Sequence, residues 1–315
     1  MSNPRVIIIT KGVSRIVGPI VEKHNVVGII EDAPRKKQKV EKSNFLRILE
    51  RVYAIFKTPY KTLKLYSEEK DIPYFFMSNG NCQNLEKWIK ELKPDILVVY
   101  TMSRLLRRNI FDIPKYKTIN LHPSLLPKYK GPNPWFWSYF NKDNIGGVTL
   151  HYIDEGEDTG NIIYQEEYSI PLGMKSPMMQ DLAIGEIGTN LILKALSNAD
   201  RLPNIKQTIQ PEIQRARNIK KEEHQSIIDW ENFEIERIWH ILRGTELWLN
   251  AFEQPKGINK GLRWIIEGYE KLDMSDYSIG KVYKEKGHYT LACKDGKIHL
   301  SLKRSIKKMI LAFIQ

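Results

Sequence analysis

The sequence predicts an α/β protein, with a mostly parallel sheet covered by helices and a smaller β-rich C-terminal domain after it. Three observations carry this. Short apolar runs alternate with amphipathic stretches over the first two hundred residues. One run, "DILVVYT" at 95–101, is apolar on both faces, as a strand buried between helix layers must be. Beyond residue 206 the pattern changes to short alternating strands joined by turn residues. At 315 residues the chain exceeds an ordinary single core, so the expected division is an N-terminal domain over 1–205 and a C-terminal one over 206–315.

Each element follows from its local pattern. "RVIIIT" reads as a first buried strand, its apolar core too short for a signal sequence or a membrane span, and a helical span follows it to near Lys23. "NVVGIIED" and "IPYFFM" are the second and third strands, "NLEKWIKELK" an amphipathic helix, and "DILVVYT" the next strand. "TINLHPS", "IGGVTLHYID" and "GNIIYQEEYSI" are later strands, and "PMMQDLAIGEIGTNLILKALSNA" is one long helix. A linker-like "SNADRLPNIKQTIQPE" leads into the C-terminal part. There "SIGKVYKEKGHYTLACKDGKIHLSLKR" gives strands with a Lys-Asp-Gly hairpin signal, and "ELWLNAF" at 246–252 is expected in the core. The apolar tail "IKKMILAFIQ" is a docked strand or helix, too short to cross a bilayer.

Composition excludes several classes. Hydrophobic residues at 42% and charged residues at 27% are ordinary for a globular chain, and 10% aromatics argue against disorder. Cys82 and Cys293 lie far apart without metal-ligand spacing, which points away from a disulfide framework or a zinc site and toward reduced thiols in a cytoplasm. The net charge of +12 is concentrated: residues 34–70 hold eleven Lys or Arg against four Glu, and residues 206–315 hold twenty against fifteen acids. Such patches are either solvated helix faces or surfaces for phosphate or an anionic membrane. Within 34–70 the spacing of Phe45, Leu46, Leu49, Val52, Tyr53 and Phe56 predicts an amphipathic helix.

In a sheet of this kind ligands bind beyond the carboxyl ends of the strands. "TINLH" ends there, with Asn120 and His122 two residues apart on one side of an extended chain, roughly 6.5–7 Å from each other along the backbone. The prolines of "PSLLPKYKGPNP" then stop any ladder and impose a rigid irregular loop. A second polar cluster, "HYIDEGEDTGN" at 151–161, places four acids between two apolar strands. Taken singly, Asn120 is a turn former, His122 a hydrogen-bonded structural histidine and Asp158 a loop acid or helix cap. His151, on the strand between the clusters, is expected to face the sheet interior.

The stretch from "TINLHPSLLPKYKGPNP" to "GGVTLHYIDEGEDTGNIIYQ" resembles the folate-dependent formyltransferases. The motifs are Asn-x-His-x-Ser-Leu-Leu-Pro, a glycine-containing loop, Gly-Val-Thr-x-His, and Asp-x-Gly-x-Asp-Thr-Gly, in that order. The resemblance covers about 5–200 and continues more weakly through "IIDW" (227–230) and "HILRG" (240–244). It implies a Rossmann-like catalytic domain, an OB-like barrel after it, and N10-formyltetrahydrofolate as co-substrate without a metal. It places the catalytic groups at Asn120, His122 and Asp158. The folate cleft then falls on Tyr100 to Leu105 and Ile153 to Asp158, with Tyr100, Met102, Leu105, Ile153 and Glu155 as binding residues. Ser124 and Trp135 are the expected contacts to the acceptor.

These residue types suit the chemistry. Formyl transfer needs a neutral amine to attack a carbonyl, a developing oxyanion to be stabilised and a proton to move. An Asn amide donates to such an oxygen without titrating, worth on the order of 3 kcal/mol of barrier. His122 either donates to the oxyanion when protonated or relays the amine proton. Asp158 orients His122, raises its pKa, or holds a water.

The acceptor is read from a departure. After Ser-Leu-Leu-Pro the initiator-tRNA members of the family read Arg-Gly-Ala-Ala-Pro-Ile-Gln, whereas this chain reads "KYKGPNPWFW". A nucleotide-linked amino sugar, as used in surface polysaccharide such as lipopolysaccharide O-antigen, is therefore the expected acceptor, and a homodimer the expected assembly. Methionyl-tRNA is the alternative, with the C-terminal domain open to nucleic acid, a nucleotide or a second subunit. A catalytically inactive binding module is the alternative of another class. Trp135, Phe136 and Trp137 either stack on a base or sugar or start a helix that buries them.

Overall fold

The computed structural model describes residues 3–32, 62–78, 82–208 and 215–303. The expected amphipathic helix around Phe45–Phe56 and the tail "IKKMILAFIQ" lie outside the described residues. Of the basic segment 34–70, the described end forms a helix, Leu63–Glu69, capped by Thr62, whose hydroxyl accepts the Leu65 N–H at 3.2 Å.

Seven strands form the main sheet: β1 (Val6–Thr10), β2 (Val26–Asp32), β3 (Tyr74–Met77), β4 (Ile96–Val99), β5 (Thr118–His122), β6 (Ile145–Tyr152) and β7 (Ile162–Ser169), in the order β3-β2-β1-β4-β5-β6-β7. The first five run parallel to one another. β6 reverses, pairing antiparallel with β5 so that Asn120 lies opposite His151 and His122 opposite Thr149. The runs that read as apolar on both faces are the sheet's centre: Ile7, Ile8 and Ile9 of β1 and Leu97 and Val98 of β4 are fully buried. The order reverses between β1 and β4, which marks the carboxyl rim beside them as the place for a ligand.

Helices cover the faces as their periodicity requires. Leu85 and Ile89 of Cys82–Leu92 pack into the core, and its Trp88 ring lies over Gly28 of β2, where a Cβ would come within 2.7 Å of the ring. The long helix expected over 177–199 is broken into three pieces: α-helical Ser176–Gln180, π-helical Asp181–Gly188 and α-helical Thr189–Ser197. Two contacts accompany the wide turn. The Thr189 hydroxyl donates to the Ile184 carbonyl at 2.8 Å, and a Cβ on Gly188 would lie 2.6 Å from Leu121.

Contacts divide the chain into two compact units. The first comprises the chain through Gly131, Gly147–Tyr168 and Asp181–Arg215; the second comprises Pro132–Gly146, Ser169–Gln180 and the chain from Ala216. Within the second unit, β8 (Arg263–Lys271), β9 (Val282–Glu285), β10 (His288–Cys293) and β11 (Gly296–Lys303) form an antiparallel sheet in the order β8-β11-β10-β9. This is the β-rich part expected. Lys286 and Gly287, both with positive φ (47° and 87°), make the tight turn between β9 and β10. Helix Ile235–Thr245 buries Ile235, Ile238 and Ile241 and packs on this sheet. The glycine of "HILRG", Gly244, has the Tyr139 ring against it, so close that a Cβ would sit 2.3 Å away. The "ELWLNAF" stretch is core only in part: Leu249, Ala251 and Phe252 are buried, whereas Leu247 and Trp248 are 47% and 37% exposed.

Candidate active site at the carboxyl end of β5

β5 delivers Asn120 and His122 to the rim, and the 153–161 loop brings Asp158 to meet them. The carboxylate is the hub. Its Oδ2 accepts the Gly131 N–H at 2.9 Å and lies 3.5 Å from His122 Nδ1; its Oδ1 lies 3.4 Å from Asn120 Nδ2 and 3.5 Å from His151 Nε2. Asp158 has φ 55°, a left-handed conformation that Asp tolerates better than most residues. The proline-rich loop does more than stop β5: it returns the Tyr129 carbonyl to 2.9 Å from His122 Nε2 and the Gly131 N–H to the carboxylate.

These contacts fix the protons. His122 Nε2 faces a carbonyl and therefore carries the hydrogen, which leaves Nδ1 as a lone pair beside Asp158. Burial pushes His122 below the ordinary imidazole value, with Asp158 pulling the other way. The net direction is opposite to the rise that pairing with Asp158 alone would give. Burial works to raise Asp158, but the positive charge that His122 and His151 carry when protonated, together with the Gly131 N–H, outweighs it and holds the carboxyl down to about 2. The resting pair is thus a neutral imidazole beside an ionised carboxylate.

His151 completes the cluster. It is 2% exposed, and its Nδ1 faces the Tyr152 carbonyl at 2.7 Å, so its Nε2 is the acceptor for Asn120 Nδ2 at 3.0 Å. That bond turns the Asn120 amide so that its NH2 points at Asp158. The antiparallel β5–β6 pair places His151 directly across from Asn120, a register that the sequence alone does not fix.

The expected binding residues fall less uniformly. Met102 and Ile153 are half-buried and pack against the core cluster that holds Leu97, Leu106 and Ile110. Tyr100 is half-buried, and burial pushes its phenol up to about 12. Leu105 is 61% exposed, while the adjacent Leu106 turns into the core. Glu155 is exposed and pairs with Arg108 at 3.3 Å. Ser124 is buried, and its hydroxyl donates to the Lys128 carbonyl at 2.6 Å, so it shapes the proline-rich loop. Trp135 is half-buried in helix Pro134–Phe140 of the second unit, where Phe136 and Trp137 are core.

An Asn-x-His strand end with an acid loop folded back onto it thus stands at the carboxyl rim of a Rossmann-like sheet. Residues 35–186 match the formyl transferase family, and the chain belongs to the folate-dependent formyltransferases. The methionyl-tRNA formyltransferase of Clostridium tetani is 30% identical over 215 residues, covering 67% of this chain and 66% of the relative. That of Halothermothrix orenii is 32% identical over 179 residues, covering 56% and 55%. The chain thus spans between about half and two-thirds of the length of these curated relatives. Among solved structures, the N-formyltransferase from Helicobacter canadensis, in complex with folinic acid and dTDP-3-aminofucose, superposes with a TM-score of 0.61 at 20% identity, covering 95% of this chain and all of that one.

Proposed function

We propose that the chain is an N-formyltransferase that moves a formyl group from N10-formyltetrahydrofolate to the primary amine of a nucleotide-linked amino sugar. The observation that carries this reading is the convergence of an amide, an imidazole and an ionised carboxylate within 3.5 Å at the end of β5. The surroundings suit a folate: half-buried Met102 and Ile153 offer an apolar wall, and the 61% exposed Leu105 is a side chain that an aromatic ring would cover. When bound, the folate supplies a formyl group activated for attack by an amine.

The roles follow from the resting protonation. The Nδ1 lone pair of neutral His122 takes the proton that the amine loses as it attacks the carbonyl carbon. The ionised Asp158, 3.5 Å away, stabilises the imidazolium that results. Asn120 has one amide hydrogen held well by His151 at 3.0 Å; the other spans a long 3.4 Å to Asp158 and is the one available to a carbonyl oxygen gaining negative charge. His122 then returns its proton to the departing nitrogen, so the enzyme ends as it began.

The loop sequence "KYKGPNPWFW", in which the tRNA-type alanines are missing, supports this acceptor, and Trp135 offers an aromatic ring of the kind that stacks on a base or sugar. A specific observation favours a second reading, methionyl-tRNA as acceptor: the curated relatives at 30% and 32% identity carry that name. Incubation with N10-formyltetrahydrofolate and either dTDP- or UDP-linked amino sugars or charged initiator tRNA decides between them. Formylation of the sugar, abolished by Asn120→Ala or His122→Ala in folded protein, is the expected result. Formylation of Met-tRNA alone moves the assignment to the second reading, and binding of both substrates without turnover makes the chain a binding module.

A further inference from the structure

We infer that Gln207 is a positioning residue for Asp158: its side-chain amide fastens the backbone of the carboxylate loop and so sets the distance between Asp158 and His122. The inference rests on the reading of Asp158 as a working group in formyl transfer.

The placement of Gln207 is built from its neighbours. Ile205 bridges Ile162 through two backbone hydrogen bonds of 2.7 and 2.9 Å, and the Asn161 side chain donates to the Asn204 side chain at 2.9 Å. The segment is thereby pinned along the start of β7. Two residues on, Gln207 is 7% exposed, and its Nε2 donates to the Asp158 carbonyl at 3.0 Å and to the Gly160 carbonyl at 2.7 Å. Since both partners are acceptors, the amide can be oriented only one way, and its two hydrogens are both spent on the loop.

The loop needs such a tie. Asp158 holds a left-handed φ of 55°, and a Cβ on Gly160 would sit 1.8 Å from the Tyr152 carbonyl oxygen, so the backbone at 158–160 has little room and an unusual shape. Asp154 braces the loop from within, accepting from the Gly156 N–H at 3.0 Å and the Thr159 hydroxyl at 2.6 Å. From outside, the Arg215–Glu157 ion pair is 58% and 33% exposed and therefore screened by water. The buried Gln207 amide is the firmer anchor. Without it two carbonyls lose their donors, and the chain at Asp158 is free to relax toward ordinary dihedrals. That moves the carboxylate away from His122 while leaving the substrate-facing walls in place.

The test is Gln207→Met in the whole 315-residue chain, which preserves side-chain length and removes both donors, made alone and together with Asp158→Asn. A displacement near 1 Å costs on the order of 100-fold in rate. The expected result is therefore a fall in kcat of roughly tenfold to 100-fold with KM for both substrates nearly unchanged. In the Asp158→Asn background the same substitution should add less than about twofold, because the group it positions is gone. In a folded Gln207→Met protein the His122 imidazole, followed by NMR, should titrate at a lower pH than in the unsubstituted chain. Equal losses in both backgrounds, or an unmoved His122 titration with unchanged kcat, overturn the inference. Should Gln207→Met fail to fold, Gln207→Asn keeps the amide and withdraws it by one methylene, and the same cycle applies. An unsubstituted protein that transfers no formyl group to any amine faults the formyl-transfer reading itself; the His122 titration then decides the positioning role alone.

Discussion

Replacing Asp158 by Asn isolates the electrostatic part of the proposed chemistry. Asparagine has nearly the same shape, and its carbonyl can still accept the Gly131 N–H that Asp158 accepts at 2.9 Å. What it lacks is the charge facing His122 Nδ1 at 3.5 Å. Two unit charges at that separation attract by about 5 kcal/mol at an effective dielectric constant near 20. The imidazolium formed when His122 takes the amine proton loses that support, and with about 1.4 kcal/mol per tenfold in rate the expected loss in kcat/KM is roughly a thousandfold. A discontinuous assay of formylated amine, run beside a thermal melt, measures both outcomes. A folded variant that keeps more than a tenth of the activity refutes the role given to the carboxylate. Stability provides a second readout with a defined sign. Because the Asp158 carboxyl is held down to about 2, its contribution is present above the unfolded carboxyl value near 4 and is lost as pH falls from there toward 2. The stability gap between the unsubstituted chain and the variant should narrow over that window.

Other perturbations test neighbouring steps. The acid limb of the kcat/KM profile should fall below the ordinary histidine value of about 6.5, since burial lowers His122 and its neutral form is the working base; a limb above that value contradicts the assignment. His151→Phe keeps the ring but removes the acceptor that orients Asn120 Nδ2 at 3.0 Å, and should reduce kcat by roughly tenfold to 100-fold with little change in KM. Phe136→Ala, at a side chain 1% exposed, should cost about 3–5 kcal/mol in a denaturant titration. Trp135→Ala should cost markedly less and instead raise KM for the nucleotide-linked acceptor.

Much of the sheet could be read from local pattern. β1 and β4 are short apolar runs bounded by turn residues, and their burial follows from having apolar side chains on both faces, whereas β5 alternates Ile119 and Leu121 with Asn120 and His122. The break in the 177–199 helix was hidden because the contacts that accompany it include residues distant in sequence, as Gly188 against Leu121. Leu247 and Trp248 carry the same apolar signal as Leu249 and Phe252, yet only tertiary placement exposes the first pair and buries the second.

The candidate site divides in the same way. Asn120 and His122 are two apart on one strand, so their common side is set by the two-residue repeat of extended chain, and the motif order that resembles a known family is likewise a property of the sequence alone. The protonation of the cluster is not. That His122 is neutral depends on the Tyr129 carbonyl returning to its Nε2 and on burial that no composition reveals. That Asn120 faces Asp158 with its NH2 depends on His151, 31 positions away, and the loop is held by Gln207, 49 positions from Asp158. Local pattern is enough to say which groups are present and along which strand they stand. Their distances, their burial and hence their charge come from the folded chain, because electrostatic energies vary with separation and solvent access, and folding sets both.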